Sequence, residues 1–177
     1  MSDDIPRLAA IPAEEAGDAV PLLRDILAAL RADGRSIAGN IQREIATDGI
    51  CCPDMVLEDI ETGELHCISQ SLGPGASACR LDSQALAMVA GRMLVNLDTL
   101  PGPDLLLLNR FGKAEAEGRG LRAVFEKAAS LGVPVLTCVK QDYRAAWSDY
   151  TGPLSTTLAA TRDEVLAWCR SAITCRQ

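Results

Sequence analysis

The 177-residue sequence has few aromatic residues, fewer cations than anions and one histidine. Aromatic residues make up only 3% of the chain, which disfavours stacking platforms for single-stranded nucleic acid. Lys and Arg number 17 against 24 Asp and Glu, and a net charge of -7 argues against attraction to phosphate backbones or anionic lipid. Apolar runs also stay well short of the roughly 18 residues of a spanning helix. We therefore expect no nucleic-acid partner and no membrane insertion.

The N-terminal segment MSDDIPRL lacks the basic start and apolar core of a secretory signal, which predicts a cytoplasmic protein. In that reducing compartment the seven cysteines are expected to be free thiols, and none of them forms a C-x-x-C pair. Hydrophobic residues make up 48% of the chain and charged residues 23%, as in an ordinary globular protein. Length and composition together predict a single domain over residues 1–177.

Apolar segments typical of buried strands alternate with segments of helical periodicity. The expected strands cover residues 8–11, 36–42, 103–108 and 133–139. The apolar stripes of the expected helices begin at Leu22, Leu86, Leu121 and Val165. Asp18 is expected to cap the first helix, and Thr161 with Glu164 forms a predicted capping box for the last.

A predicted hairpin interrupts this alternation, with strands at 55–60 and 65–70 around a turn at 61–64. The order of elements predicts a three-layer α/β fold, in which helices cover both faces of a parallel sheet and the antiparallel hairpin is inserted. Ligands bind such sheets at the carboxyl ends of the strands. The candidate loops are therefore 12–18, 109–120 and 140–150.

The loop at 12–18 occupies the place of a phosphate cradle but has no G-x-x-x-x-G-K-[ST] motif. It carries Glu14, Glu15 and Asp18 with a single glycine. Two like charges about 4 Å apart repel by about 1 to 4 kcal/mol, so these carboxylates oppose a polyphosphate. A Mg-nucleotide is not expected here. Either the segment is a solvated loop with a helix cap, or it is a modified site for another ligand.

The loop at 109–120 and the residues after it form a local cationic patch in an acidic chain. Its cations are Arg110, Lys113, Arg119 and Arg122, and its carboxylates are Glu115 and Glu117. The amides around Gly112, Gly118 and Gly120 add further donors at the carboxyl edge of the sheet, which favours an anion. In the alternative interpretation, the Arg and Glu side chains pair with one another.

Two groups of residues that contain cysteine are candidates for a metal site or a ligand-binding site. Thiolates and imidazole at Cys51, Cys52, His66 and Cys67 have the chemistry of a soft-metal site, but their spacing fits no standard site and strand neighbours face opposite ways. No metal site is predicted. Cys79 and Arg80 precede a helix, where amide dipoles and a guanidinium stabilise a thiolate, so both are candidates for ligand binding. No base is expected beside Cys79, and no catalytic residue is assigned.

The run LLLLNRFGKAEAEGRGLR at 105–122, with CRLD at 79–82 and VPVL at 133–136, resembles the bacterial family called domain of unknown function 2478. That family is described as nucleoside-triphosphatase-like and is encoded near molybdate-transport genes. It is similar in turn to small nucleoside triphosphatases of thermophiles, in which a buried strand is followed by Asp-Glu, an apolar residue, Gly-Lys and then Glu. The resemblance implies a P-loop NTPase-like fold for the chain.

In this chain Asn109 and Arg110 stand in the place of that Asp-Glu pair, whereas Gly112, Lys113 and Glu115 match the rest of the motif. An amide and a guanidinium can neither hold Mg²⁺ nor position water as the acidic pair does. The resemblance therefore implies the fold, with a degenerate phosphate loop, and argues against hydrolysis. The predicted ligand-binding residues are Asn109, Arg110, Gly112, Lys113, Glu115, Arg119, Arg122, Cys79 and Arg80.

The function expected from these observations is that of a degenerate P-loop NTPase-like protein without efficient NTP hydrolysis. It is expected to bind a small anionic ligand, such as molybdate or another oxyanion, or a protein partner, in molybdenum metabolism. One alternative is an active triphosphatase that uses Arg110, Lys113, Glu115 and Arg119. Another is an interaction module in which Arg110, Arg119 and Arg122 meet an acidic partner. A homo-oligomer is compatible with the sequence.

Overall fold

The strand segments of the sequence form one seven-stranded sheet in the computed structural model, which describes residues 5–46, 54–70, 81–99 and 101–174. The strands are β1 (Leu8–Pro12), β2 (Ile37–Ile45), β3 (Asp54–Asp59), β4 (Leu65–Cys67), β5 (Leu105–Phe111), β6 (Val135–Val139) and β7 (Ser155–Thr157). The helices are α1 (Ala13–Ala16), α2 (Ala19–Ala32), α3 (Ser83–Leu97), α4 (Lys113–Ala116), α5 (Arg122–Ser130), α6 (Arg144–Thr151) and α7 (Arg162–Thr174). Short 3-10 turns at Gln141–Tyr143 and Gly152–Leu154 flank α6.

The sheet is mostly parallel, with the order β4-β3-β2-β5-β6-β1-β7. Strands β2, β5, β6, β1 and β7 run parallel, and β3 and β4 extend the sheet antiparallel beside β2. The predicted three-layer α/β fold with an antiparallel hairpin is therefore confirmed. The carboxyl ends of β1, β2, β5 and β6 meet at one edge, which is where ligands bind in such folds.

Helices cover both faces of the sheet, and the alternation of β5 shows why its apolar run is continuous. Leu105 and Leu107 face a core built with α2 and α7, whereas Leu106 and Leu108 face a core built with α3, α5 and α6. A strand that is covered on both faces needs apolar residues at every position. Among the described helices, none combines the length and the apolar character that crossing a bilayer requires.

Strand β5 lies further along the chain than the predicted strand at 103–108, since it begins at Leu105 and ends at Phe111. The residues from Asn109 to Phe111 belong to the strand and not to the following loop, and the register with β6 shifts between Leu108 and Phe111. This β-bulge returns Phe111 to the core that also contains Leu108. The predicted loop at 109–120 is thus wrong for its first three residues. These residues extend the strand through a bulge, which forms by pairing with a neighbouring strand and leaves no local sequence pattern.

Several other boundaries differ from the sequence-based expectation. The segment 12–18 contains helix α1, and 140–150 forms a 3-10 turn and most of α6 where a loop was expected. Strand β7 was not predicted, because its polar sequence STT lies at the edge of the sheet, where burial leaves no apolar pattern. The buried stripe of α5 ends at Ala128, because Leu131 at the C-terminal end of the helix is 42% exposed.

The two predicted helix caps have different outcomes. Asp18 caps α2, since its carboxylate accepts a hydrogen bond from the amide of Val20 at 3.1 Å, as predicted. The Glu164 carboxylate instead accepts from the amide of Ala159 at 2.8 Å, while the Thr161 amide donates to the Ala159 carbonyl. The predicted reciprocal box of Thr161 and Glu164 is therefore wrong, because the chain turns before α7 and brings another amide to the carboxylate.

Candidate anion-binding site

A cleft of about 840 Å³ lies at the carboxyl edge of the sheet, between the ends of β1, β2, β5 and β6. Parts of all three loops that the sequence singled out line it. Its charged lining residues are Glu14, Asp18, Arg43, Glu44, Arg110 and Lys140. The cleft therefore brings carboxylates and cations together, and their individual pairing decides what it can bind.

Two carboxylates of the segment after β1, those of Asp18 and Glu14, already have hydrogen-bond partners. The Asp18 side chain is engaged with the first turn of α2. Glu14 accepts hydrogen bonds from the amide of Gln141 at 2.5 Å and from the Arg144 guanidinium at 3.2 Å. These contacts, the amide first, lower the pKa of Glu14 and keep it ionised. An anion entering this end of the cleft meets negative charge, not free amides.

The end of β5 places two neighbouring side chains differently. Asn109 is 7% exposed, and its amide nitrogen donates to the main-chain oxygen of Gln42 at 3.2 Å. Arg110 is exposed, and a side chain at position 112 would touch its aliphatic stem, at 3.5 Å from Cδ. This is ordinary van der Waals contact, so the Arg110 side chain does not require glycine at position 112.

Glu115 is buried and holds the turn after β5 together. One carboxylate oxygen accepts from the amide of Gly112 at 3.0 Å, and the other accepts from the amide of Leu121 at 2.9 Å. Gly120 has φ +62°, and a Cβ atom there would collide with the Glu115 carboxylate. Both carboxylate oxygens are thus already engaged with the main chain.

Three cations of the predicted patch pair with neighbours on the same segment. Lys113 lies 3.9 Å from the Glu117 carboxylate, and Arg119 also pairs with Glu117. Arg122 lies 3.4 Å from the carboxylate of Glu126 and stacks over the ring of Tyr150, with 4.2 Å between the guanidinium carbon and the ring centroid. The structure therefore does not gather the four predicted cations into one open patch.

Arg110 and Lys140 differ from those three cations, because the side chain of neither residue forms an ion pair or a hydrogen bond within the part of the chain that the structure describes. Arg43, the third cation of the cleft, is 2.9 Å from the carboxylate of Glu58, which also binds Arg24 at 2.7 Å. Glu44 has no described ion pair either, and its negative charge partly offsets the positive charges of Arg110 and Lys140.

Lys140 and Gln42 were not selected from the sequence. Lys140 follows β6 directly, and position 140 does fall within a candidate loop, so its place after a buried strand was the available signal. Gln42 lies within β2, which continues to Ile45 beyond the predicted end of the strand, and nothing in its own sequence marks it.

The floor of the cleft carries a thiol that stays protonated at neutral pH. Burial raises the pKa of Cys138 to about 12, although the positive charge of Arg110 acts in the opposite direction. Cys169 is likewise buried with a pKa of about 12, whereas Cys67 is exposed. All three are free thiols, as predicted.

The remaining sequence candidates lie elsewhere. His66 lies 3.8 Å from Glu64 and 3.5 Å from Arg92, on strand β4 away from the cleft. Residues 5–46, 54–70, 81–99 and 101–174 contain no group of three side chains able to hold a metal ion. Cys51, Cys52, Cys79 and Arg80 lie outside the described residues, so the ligand-binding role of Cys79 and Arg80 stays a prediction.

The family described as "Protein of unknown function (DUF2478)" matches residues 8–168. The chain belongs to this family. The resemblance carried by the run at 105–122 is thereby confirmed. The seven-stranded, mostly parallel sheet is consistent with a P-loop NTPase-like fold.

The chain is also 39% identical over 166 residues to a protein of Bradyrhizobium diazoefficiens named "Molybdenum import ATP-binding protein ModC 2". The match covers 93% of this chain but only 18% of that relative. The import and the ATP binding in its name therefore describe a much longer protein. No solved structure matches the chain.

Proposed function

We propose that the cleft binds a small oxyanion, molybdate, between Arg110 and Lys140. On this proposal the protein functions in molybdenum metabolism and does not hydrolyse NTP efficiently. The observation that carries this proposal is the pair of exposed cations without described ion-pair partners at the ends of neighbouring strands. A carboxylate lies within ion-pair distance of each of the other cations described at this edge, which are Arg43, Lys113, Arg119, Arg122 and Arg144.

Both cations line the same cleft. Phe111 pairs with Val139 across β5 and β6, with Arg110 just before Phe111 and Lys140 just after Val139. Their main-chain positions are therefore about 5 Å apart across the strands and about 7 Å apart along them, a span that two long side chains can close around one anion. A guanidinium presents a planar fork of donors, and an ammonium presents a point charge with three donors. Together they can bind two edges of a tetrahedral dianion through charge-assisted hydrogen bonds.

The surroundings of the cleft disfavour a Mg-nucleotide. The segment after β1 carries Glu14 and Asp18, and Asp18 occupies the first turn of α2 where a phosphate would bind. Asn109 and Arg110 stand where the related triphosphatases have an acidic pair, and Glu115 binds two main-chain amides. This arrangement supports anion binding without metal-dependent hydrolysis.

The molybdenum assignment is supported by the named relative. A stretch of about 166 residues within a protein named for molybdenum import is similar to nearly all of this chain. We therefore propose molybdate, which is a tetrahedral dianion, as the oxyanion.

Equilibrium dialysis against molybdate, with bound molybdenum measured by mass spectrometry, tests the proposal. The expected result is saturable binding that sulfate reduces by competition and that falls at least tenfold in Arg110→Ala, because a charge-assisted hydrogen bond contributes about 1.5 to 3 kcal/mol. Arg119→Ala removes the same charge from a paired position and is expected to retain binding. Absence of saturable binding in the native protein, or equal losses in the two variants, would overturn the proposal.

A further inference from the structure

A second, inner cavity of about 210 Å³ opens beside the cleft on the opposite face of β5. Arg110, Lys140 and Gln42 line both spaces and therefore stand at the boundary between them. The inner walls are largely apolar and include Leu57, Ile68, Leu86 and Leu121 from the core shared with α3 and α5. The cavity thus combines an apolar interior with a cationic mouth, to which Lys113 also contributes.

Among the residues that line this cavity, Asn40 has a buried polar atom without a hydrogen-bond partner. It lies on β2, is 2% exposed and lines the cavity. Its amide nitrogen donates to the Met93 sulfur at 3.5 Å, whereas its side-chain oxygen has no hydrogen-bond partner among the described residues. Buried carbonyl oxygens in native proteins are nearly always bonded, so this acceptor calls for an N–H or O–H group.

The distances favour one ligand across both spaces. Asn40 pairs with Leu108 between β2 and β5, and Arg110 lies two residues further along β5, so the two positions are about 7 Å apart along the strands. An apolar cavity of about 150 Å³ is large enough for a benzene ring. The inner cavity can therefore hold a ring with one donor group while the charged end stays at its mouth.

We propose that Arg110 and Lys140 also hold the anionic head group of a small organic molecule, in competition with molybdate, and that the ring-sized, mostly apolar body of this molecule fills the inner cavity and donates a hydrogen bond to the side-chain oxygen of Asn40. This inference rests on the proposed anion site and adds a second ligand class to it. The body is uncharged, since the described residues of the cavity offer no free partner for a second charge. The two other charged residues that line it are already paired: Lys113 with Glu117, and Glu115 with main-chain amides.

Four probes separate the head group, the ring and the donor. Methylphosphonate carries a tetrahedral anionic head alone, phenylphosphonate adds the ring, and 3- and 4-hydroxyphenylphosphonate add a donor at two positions. Calorimetric titration of the full chain is expected to show at least tenfold tighter binding of phenylphosphonate than of methylphosphonate, because the ring is desolvated. One hydroxyl position is expected to add about tenfold more, through the bond to Asn40.

Asn40→Leu replaces the amide by an apolar group of similar size and is expected to abolish the hydroxyl gain while keeping the ring gain. Asn96→Leu makes the same change at an exposed position of α3 and is expected to keep both gains. Ala114→Leu, at a half-buried wall position, is expected to reduce binding of the ring probes but not of methylphosphonate, and it serves if Asn40→Leu does not fold.

The outcomes separate this inference from the anion site. Methylphosphonate binding that depends on Arg110, with no gain from the ring or the hydroxyl, would overturn the inference and leave the proposed function standing. A hydroxyl gain that survives in Asn40→Leu would overturn the role of Asn40 and with it the inference. If methylphosphonate, phenylphosphonate and molybdate all fail to bind, the anion site itself is wrong.

Discussion

The connection after β1 differs from those after β5 and β6, at the same edge of the sheet, in how its charges are satisfied. After β1, the carboxylates of Glu14 and Asp18 bind Arg144 and main-chain amides within the segment and its neighbour. After β5 and β6, Arg110 and Lys140 have no described partner, although Lys113 and Arg119 in the same region are paired. The comparison shows that the number of cations in a loop does not define an anion site. What matters is which cations the fold leaves without a carboxylate.

The largest expected effect is a loss of stability when the turn after β5 loses the Glu115 carboxylate. Glu115→Ala leaves the amides of Gly112 and Leu121 without their acceptor in a buried position, and the loss of such bonds costs about 1 to 3 kcal/mol each. We expect the free energy of unfolding to fall by about 3 kcal/mol in urea denaturation.

Glu117→Ala is the matched control, because Glu117 is exposed and pairs only at the surface. We expect a change below about 1 kcal/mol for this variant. If Glu115→Ala were as stable as Glu117→Ala, Glu115 would not hold the turn, and its carboxylate would be available to a ligand after all.

The next effect concerns the two open cations. Lys140→Ala removes one of the charges proposed to hold the oxyanion, and we expect molybdate affinity to fall about tenfold, which corresponds to about 1.4 kcal/mol. Dialysis of Lys140→Ala beside Lys113→Ala measures the difference. Since Lys113 pairs with Glu117, its replacement is expected to change affinity much less. Equal effects would remove the distinction between open and paired lysines.

The buried thiols predict how stability depends on pH. Folding raises the pKa of Cys138 and Cys169 to about 12, above the ordinary value of about 8.5. The unfolded chain therefore releases these protons first, and the stabilisation is complete below about pH 8 and is lost as pH rises towards 12. Each thiol is expected to lower the free energy of unfolding by up to about 1.4 kcal/mol per pH unit in that range.

Urea denaturation at pH 8 and pH 10 checks this dependence. Cys169→Ala is expected to show a smaller decrease between the two pH values than the native protein, and Cys67→Ala the same decrease as the native protein, since Cys67 is exposed. A decrease that is identical in Cys169→Ala and in the native protein would show that the thiol is not buried as described.

The smallest effect concerns the carboxylates of the cleft. Glu44 has no described ion pair, so Glu44→Gln removes a negative charge that repels the anion. Two like charges 4 Å apart in water repel by about 1 kcal/mol, and we therefore expect molybdate affinity to rise a few-fold. Glu14→Gln is expected to have less effect, since Arg144 already balances Glu14. Dialysis at low and high salt measures both variants. The gain is expected to shrink at high salt, and a larger gain for Glu14 would reverse the order.

The sequence was sufficient for the fold because its strands and helices repeat local patterns. The apolar run at 103–108 and the helical stripes indicated a covered parallel sheet. The first strand of the hairpin was predicted to within one residue, but its second strand ends at Cys67 and not at residue 70. The bulge after Leu108 and the edge strand β7 escaped notice because each depends on pairing with a distant strand.

The candidate site was located less completely than the fold. The sequence indicated the region around Arg110 but not the pairing of its neighbours, which is decided when Glu117 and Glu126 reach their partners. Lys140 and Asn40 come to the site from other strands, so no local pattern links them to Arg110. Side-chain pairing across strands was the information that the sequence did not contain in readable form.

Calorimetric titration of the native protein with molybdate and, in the same buffer, with Mg-ATP distinguishes an oxyanion site from a nucleotide site. We expect saturable heat with molybdate, and no heat with Mg-ATP at the same protein concentration, because the segment after β1 presents carboxylates where a phosphate would bind. Micromolar binding of Mg-ATP, with no heat from molybdate, would show instead that the cleft is a nucleotide site and that the proposed oxyanion site is wrong.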